Sequence, residues 1–223
     1  MNLWPLVSCR TQMQVFLDKE VFMEIINNKT GIPLEHYRSV FSQLDTDSVS
    51  ARTGASLVNG FFSLTLIGRK VNISHPQGIA VFVDTGESLD DISSILLIRY
   101  LVEGSKVEPR GKFLAYAEIP WGEAYLTPFT GRCIKRLAFG FGFNLPKFSE
   151  RCEALGGKKA SGADAAYDIT FLENLTLRLM LWAGDDEFPP SAQILFSDNF
   201  QFAFTAEDLA YVGDIVINVL KSK

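Results

Sequence analysis

The chain has 223 residues, 47% of them hydrophobic and 21% charged, which is the balance of a packed globular protein and excludes a disordered one. The formal net charge is −5 and the isoelectric point is near 5.1. The largest basic clusters are the pairs Lys135-Arg136 and Lys158-Lys159, so nothing argues for the basic patch that nucleic-acid binding requires.

Three cysteines, Cys9, Cys133 and Cys152, are too few and too scattered for a disulfide framework, which fits a reducing, cytoplasmic setting. With only His36 and His75 beside them, neither a four-ligand zinc site nor a four-cysteine cluster can be assembled. No metal is therefore expected, and the residues name no cofactor. Leu6-Val7-Ser8-Cys9 looks like a lipoprotein cleavage box, but no Lys or Arg precedes it and the apolar stretch is too short. No apolar run approaches the roughly 20 residues of a membrane helix, so no membrane partner is expected.

In chain order, residues 12–27 read as an amphipathic helix with Val15, Phe22 and Ile26 on one face. A second helix is expected over 34–44, after Pro33, with Tyr37, Val40, Phe41 and Leu44 on its apolar side. The period then changes. Asn59-Gly60 marks a two-residue hairpin between Ala55–Val58 and Phe61–Ile67, and Val71–Ser74 and Ile79–Val83 continue an antiparallel meander. Ser88 and Asp91 form a capping pattern ahead of a helix over 89–103, whose Ile95-Leu96-Leu97-Ile98 run is apolar all round and predicts an enclosed element.

Further on, residues 112–119 read as strand, Pro120-Trp121-Gly122 as a turn, and 131–139 and 146–155 as helices. Gly140-Phe141-Gly142-Phe143 lacks the Lys-Ser/Thr of a phosphate loop and reads as a helix terminator. Gly156-Gly157-Lys158-Lys159 reads as a solvated turn, the alternative being a turn whose backbone amides and two lysines hold an anion. Two strands, 167–172 and 176–183, lead into an acidic loop, and Thr205 caps a last helix over 206–221. Strands and helices come in blocks, which predicts an α+β fold: an antiparallel meander packed with several helices, in a single domain over 1–223. Within it, 1–30 forms a helical extension and 31–223 the core.

No catalytic set stands out. Serine hydrolysis lacks its elbow motif, and His75, before Pro76, reads as an exposed turn residue. The strongest candidate is Leu181-Trp182-Ala183-Gly184-Asp185-Asp186-Glu187-Phe188-Pro189-Pro190, with Asp198 downstream. Three adjacent carboxylates can hold a hard cation or raise one another's pKa for acid–base work. They can equally cap a following helix, with Pro189 in its first turn. The inward-facing members are expected to be Asp186 and Glu187, near Arg132 or Arg52, while Asp185 caps the turn. A second group, Glu118, Trp121, Tyr125 and Arg132, can line a pocket of mixed polarity; Trp121 can also close the core edge, and Arg132 can pair with a carboxylate. The candidate pocket is thus Asp185, Asp186, Glu187, Asp198, Glu118, Tyr125, Arg132, Arg52 and Trp182.

Several of these segments resemble a bacterial and archaeal domain-of-unknown-function family. The matching pieces include Ala51-Arg52-Thr53-Gly54, Ile95–Leu101, Glu118 with Gly122, Tyr125, Phe129 and Arg132, Leu155-Gly156-Gly157 and Asp164-Ala165-Ala166. They continue through Leu181-Trp182 with Gly184–Pro189, Ile194-Leu195-Phe196 with Asp198, and Thr205–Leu209. The likeness spans roughly residues 37–220. The family is met mostly in anaerobes, alone or behind a four-cysteine iron–sulfur module of the corrinoid-protein type. The resemblance implies one domain with a role near corrinoid or iron–sulfur redox chemistry, and no particular reaction. Because these residues carry no such module, any cluster is expected in a partner. The leading expectation is a non-catalytic binding or accessory domain acting with a redox or corrinoid protein. The alternative is an enzyme, a hydrolase or metal-dependent lyase, using 185–187 with Glu118, Tyr125 and Arg132.

Overall fold

The computed structural model describes residues 31–222. The helix expected over 12–27, the extension 1–30 and Cys9 lie outside the described residues. The chain opens with helices α1 (Gly31–Ser42) and α2 (Thr46–Thr53). Strands β1 (Leu57–Val58), β2 (Phe61–Leu66), β3 (Arg69–Ser74) and β4 (Ala80–Phe82) then form the meander. Its first turn is the Asn59-Gly60 pair, with φ of 51° and 81°, the left-handed region that these two residue types enter most easily.

Helix α3 (Asp91–Glu103) follows, capped by Asp90, which accepts from the Ser93 amide at 3.0 Å. The cap is therefore one step inside the Ser88–Asp91 pattern, because Asp90 rather than Ser88 lies next to the first helical residue. Leu97, Ile98 and Leu101 have no solvent exposure. Each such side chain contributes about 1.5–3 kcal/mol on burial.

Only Phe113–Ala115 of the expected 112–119 strand is extended (β5); a single 3-10 turn, Tyr116–Glu118, replaces the rest. Helix α4 (Gly122–Phe129) passes through a π-helical turn at Thr130–Ile134 into α5 (Lys135–Phe141), and α6 spans Leu145–Ala154. Strands β6 (Lys158–Lys159), β7 (Ala165–Leu172), β8 (Leu175–Trp182) and β9 (Ser191–Ser197) precede short α7 (Phe200–Ala203) and α8 (Ala206–Ser222). The lysine pair read as a solvated turn is thus an edge strand: Lys158 lies opposite Asp168 and Lys159 opposite Tyr167.

The strands form one nine-stranded antiparallel sheet in the order β4-β3-β2-β7-β8-β9-β5, with β1 on β2 and β6 on β7. The architecture is α+β. Strand alternation splits the sheet into two faces. Tyr167, Ile169, Leu177, Leu179, Leu181, Ile194 and Phe196 point into the core. There Phe148 of α6 meets Tyr167 edge-on at 5.8 Å, and Phe129 of α4 meets Phe196 at 6.0 Å. The reverse face carries the bidentate Asp168–Arg178 pair at 2.7 and 2.9 Å, with Arg178 over the Phe113 ring. Among the described helices none is long and apolar enough to cross a membrane.

Candidate functional site

Strand β8 ends at Trp182, half-buried opposite Ser191, and the chain then turns sharply. Three hydrogen bonds fix this turn. The Ala183 amide donates to Asp164 Oδ2 at 2.9 Å, the Gly184 amide to the Gly142 carbonyl at 3.1 Å, and the Asp185 amide to the Phe188 carbonyl at 2.9 Å. Gly142 and Gly184 admit no side chain: a Cβ on Gly142 would overlap the Pro190 ring, and one on Gly184 would meet Pro190 at 2.6 Å and Phe143 at 2.9 Å. The Gly-Phe-Gly-Phe segment and the acidic loop, two separate features in the sequence, are one interlocked unit. Paired glycines and a distant proline are the only sequence signal of it.

Asp185 closes the turn as an acceptor. Its Oδ1 receives the amides of Phe188 at 2.7 Å and Glu187 at 2.9 Å, and these two N–H groups hold its carboxyl below the ordinary range. Asp186 and Glu187 are exposed and do not face inward toward Arg132 or Arg52. The reason is local. Asp185 reverses the backbone, so the alternation that would send one carboxylate inward is lost. No helix follows; the segment after Pro190 is strand β9.

The remaining candidates sit in separate hydrogen-bonded neighbourhoods. Asp198 Oδ1 accepts from the Arg110 amide at 2.9 Å, tying the end of β9 to the loop before β5. Glu118 accepts from the Ala115 amide at 2.6 Å. Arg132 pairs with Asp214 at 3.5 Å and lies over the Tyr211 ring, and Arg136 shares the same carboxylate. The guanidinium of Arg52 donates to the carbonyls of Leu101, Val102 and Gly104 at the end of α3. Tyr125 stands partly exposed on α4. Among the described residues no hydrogen bond or ion pair joins Glu118 or Arg132 to the acidic loop. None of their acidic, histidine or cysteine side chains gather in threes or more to hold a metal ion.

Two aromatic expectations change. Trp121 does not close the core edge: it is 83% exposed, with φ of 66°, because the left-handed turn into α4 throws its side chain outward. His75 is half-buried rather than exposed, its ring edge-on to Phe41 at 5.1 Å and Phe62 at 6.0 Å.

Two further exposed aromatics border the acidic loop: Phe188 within it and Phe143, which packs against Gly184, each 67% exposed. The loop therefore presents two free carboxylates and an apolar aromatic border on a backbone that glycine packing holds in place.

An α+β domain with one antiparallel sheet and an acidic, aromatic-bordered loop is the class that fold and site define. Residues 45–219 match the family described as domain of unknown function (DUF3786), and the chain belongs to that family. No curated protein and no solved structure matches the chain.

Proposed function

We propose that the domain is a non-catalytic binding module that docks an iron–sulfur or corrinoid redox protein through the surface around the acidic loop. The observation that carries this is the exposure of Phe143 and Phe188 beside Asp186 and Glu187 on a loop held by the Gly142–Gly184–Pro190 packing. Single exposed apolar side chains are ordinary, but large aromatics grouped on a fixed surface with a charged border have the make-up of a protein-binding patch. A rigid loop loses little entropy on association.

The partner class rests on the resemblance to a family met mostly in anaerobes, whose members stand either alone or behind an iron–sulfur module. Cys133 and Cys152, buried and unpaired, support a reducing cytoplasmic setting for such an encounter. The partner's complementary surface would be basic and apolar.

The test is an anaerobic pull-down with the wild-type protein and a Phe143→Ser, Phe188→Ser double variant, with iron and cobalt measured in the captured fraction. An iron- or cobalt-bearing protein held by the wild type and lost by the variant is the expected result. Equal capture by both, or a captured fraction without either metal, overturns the proposal.

A further inference from the structure

Strand β2 changes neighbours part-way along its length. At one end it pairs with β1 through Val58↔Phe61 and Leu57↔Phe62; at the other it meets β7 only at Leu66↔Leu172. Between these, the Thr65 amide donates to the Glu173 carboxylate, Oε1, at 2.7 Å, where a strand would offer a backbone carbonyl. A cavity of about 270 Å³ lies against this gap, lined by Thr53, Ala55, Ser56, Ser63, Lys106 and Glu173.

The positions of its two charged groups are built in. Lys106 lies on the strap after α3, and its amide donates to the Arg52 carbonyl at 3.0 Å. On one side of it the Ser105 amide reaches the Phe202 carbonyl at 2.8 Å. On the other, the Val107 carbonyl accepts from both Asn174 at 3.0 Å and Asn199 at 2.9 Å. Gly54, at φ +73°, ends α2 and leaves the lysine its path: a Cβ there would come within 3.1 Å of Lys106 Cδ. Glu173 takes a left-handed backbone at φ 47°, costly for a residue with a Cβ, and this conformation goes with the carboxylate reaching back to β2. Among the described residues neither Lys106 nor Glu173 belongs to an ion pair.

A cation and a carboxylate that line the same cavity and are not paired with each other select a ligand bearing both signs. A simple anion would face Glu173 unfavourably, and a simple cation would face Lys106. The volume, about 270 Å³, lies just below the roughly 300–1,000 Å³ of ordinary ligand sites, which suits only a very small ligand and is far too small for a corrin ring or a dinucleotide. We infer that this cavity binds a small zwitterion of the α-amino-acid class, its carboxylate on Lys106 Nζ and its ammonium on the free oxygen of Glu173, with the Ser56 hydroxyl available to either end. The site is independent of the aromatic surface, so one can fail without the other.

The test presents L-α-amino acids singly to the whole protein, by ligand-observed NMR and thermal shift, with acetate and methylammonium as single-charge controls. At least one amino acid should bind saturably and neither control should match it. Lys106→Met and Glu173→Gln should each weaken that binding by about tenfold or more, the effect of losing one charge-assisted contact. Lys106 is exposed, so Lys106→Met should unfold at the wild-type midpoint. The amide oxygen introduced by Glu173→Gln still accepts from the Thr65 N–H, though as a neutral acceptor, so that variant should stay folded with at most a small drop in midpoint. No amino acid binding, equal binding of a control, or unchanged affinity in a variant folded like the wild type overturns the inference.

Discussion

Arg99 of α3 and Asp208 of α8 meet at 2.7 Å, with the Asp208 side chain only 4% exposed. The other oxygen of Asp208 accepts from the Thr205 amide at 3.0 Å and the Thr205 hydroxyl at 2.7 Å. One carboxylate therefore starts the last helix and ties it to the central one. Removing one partner of a buried pair strands the other charge. Asp208→Ala should destabilise by about 3–5 kcal/mol, and chemical denaturation measures it. A loss under about 1 kcal/mol would show that water already reaches the pair.

Leu97 has no solvent exposure and sits in the middle of α3. Leu97→Ala removes its packing and leaves a void, at a cost of about 2–5 kcal/mol. Equilibrium unfolding in urea gives the number directly; a value well under about 1 kcal/mol would mean that the site collapses around the smaller side chain.

Asp185 should titrate below an ordinary aspartate, because the Phe188 and Glu187 amides favour its charged form. With the folded pKa depressed, its contribution to loop order is complete above the unfolded value and is lost as pH falls through the folded one. Following the Phe188 amide resonance through an acid titration checks this. Asp185→Ala should release the loop, whereas Asp186→Asn and Glu187→Gln should leave the melting temperature unchanged, since both side chains are exposed.

Cys133 and Cys152 are buried, and desolvation pushes both thiols up to about 12. At neutral pH neither forms the reactive thiolate. Site-resolved alkylation should modify them only in denaturant, and rapid labelling of the folded protein would contradict their burial.

How much of this is visible in the sequence depends on how local each signal is. The Asn59-Gly60 hairpin, α3 and α8 rest on turn chemistry and on apolar periodicity within one segment, and all three are in the structure. Helix α2 escapes such a reading because its eight residues are mostly small and polar; only Asp45 before it and Gly54 after it mark its ends. Strand β9 hides behind two prolines that also suit a helix start. Helix α4 is masked by Pro128 inside it. At the site, Asp185 is legible as a turn acceptor, since its partners are two and three residues away. The pairing of Arg132 with Asp214 spans 82 residues, and no local pattern announces such a contact.

The thin junction of β2 with β7 also has a mechanical consequence. One residue pair joins these strands, against seven between β7 and β8 and six between β2 and β3. Pulled apart, the sheet should tear first along this fault line, splitting the N-terminal meander from the C-terminal hairpins, because few ladder bonds there share the load. The apolar layer beneath, where Phe171 meets Phe204 and Phe204 meets Tyr100 of α3, then carries the cohesion that the backbone does not.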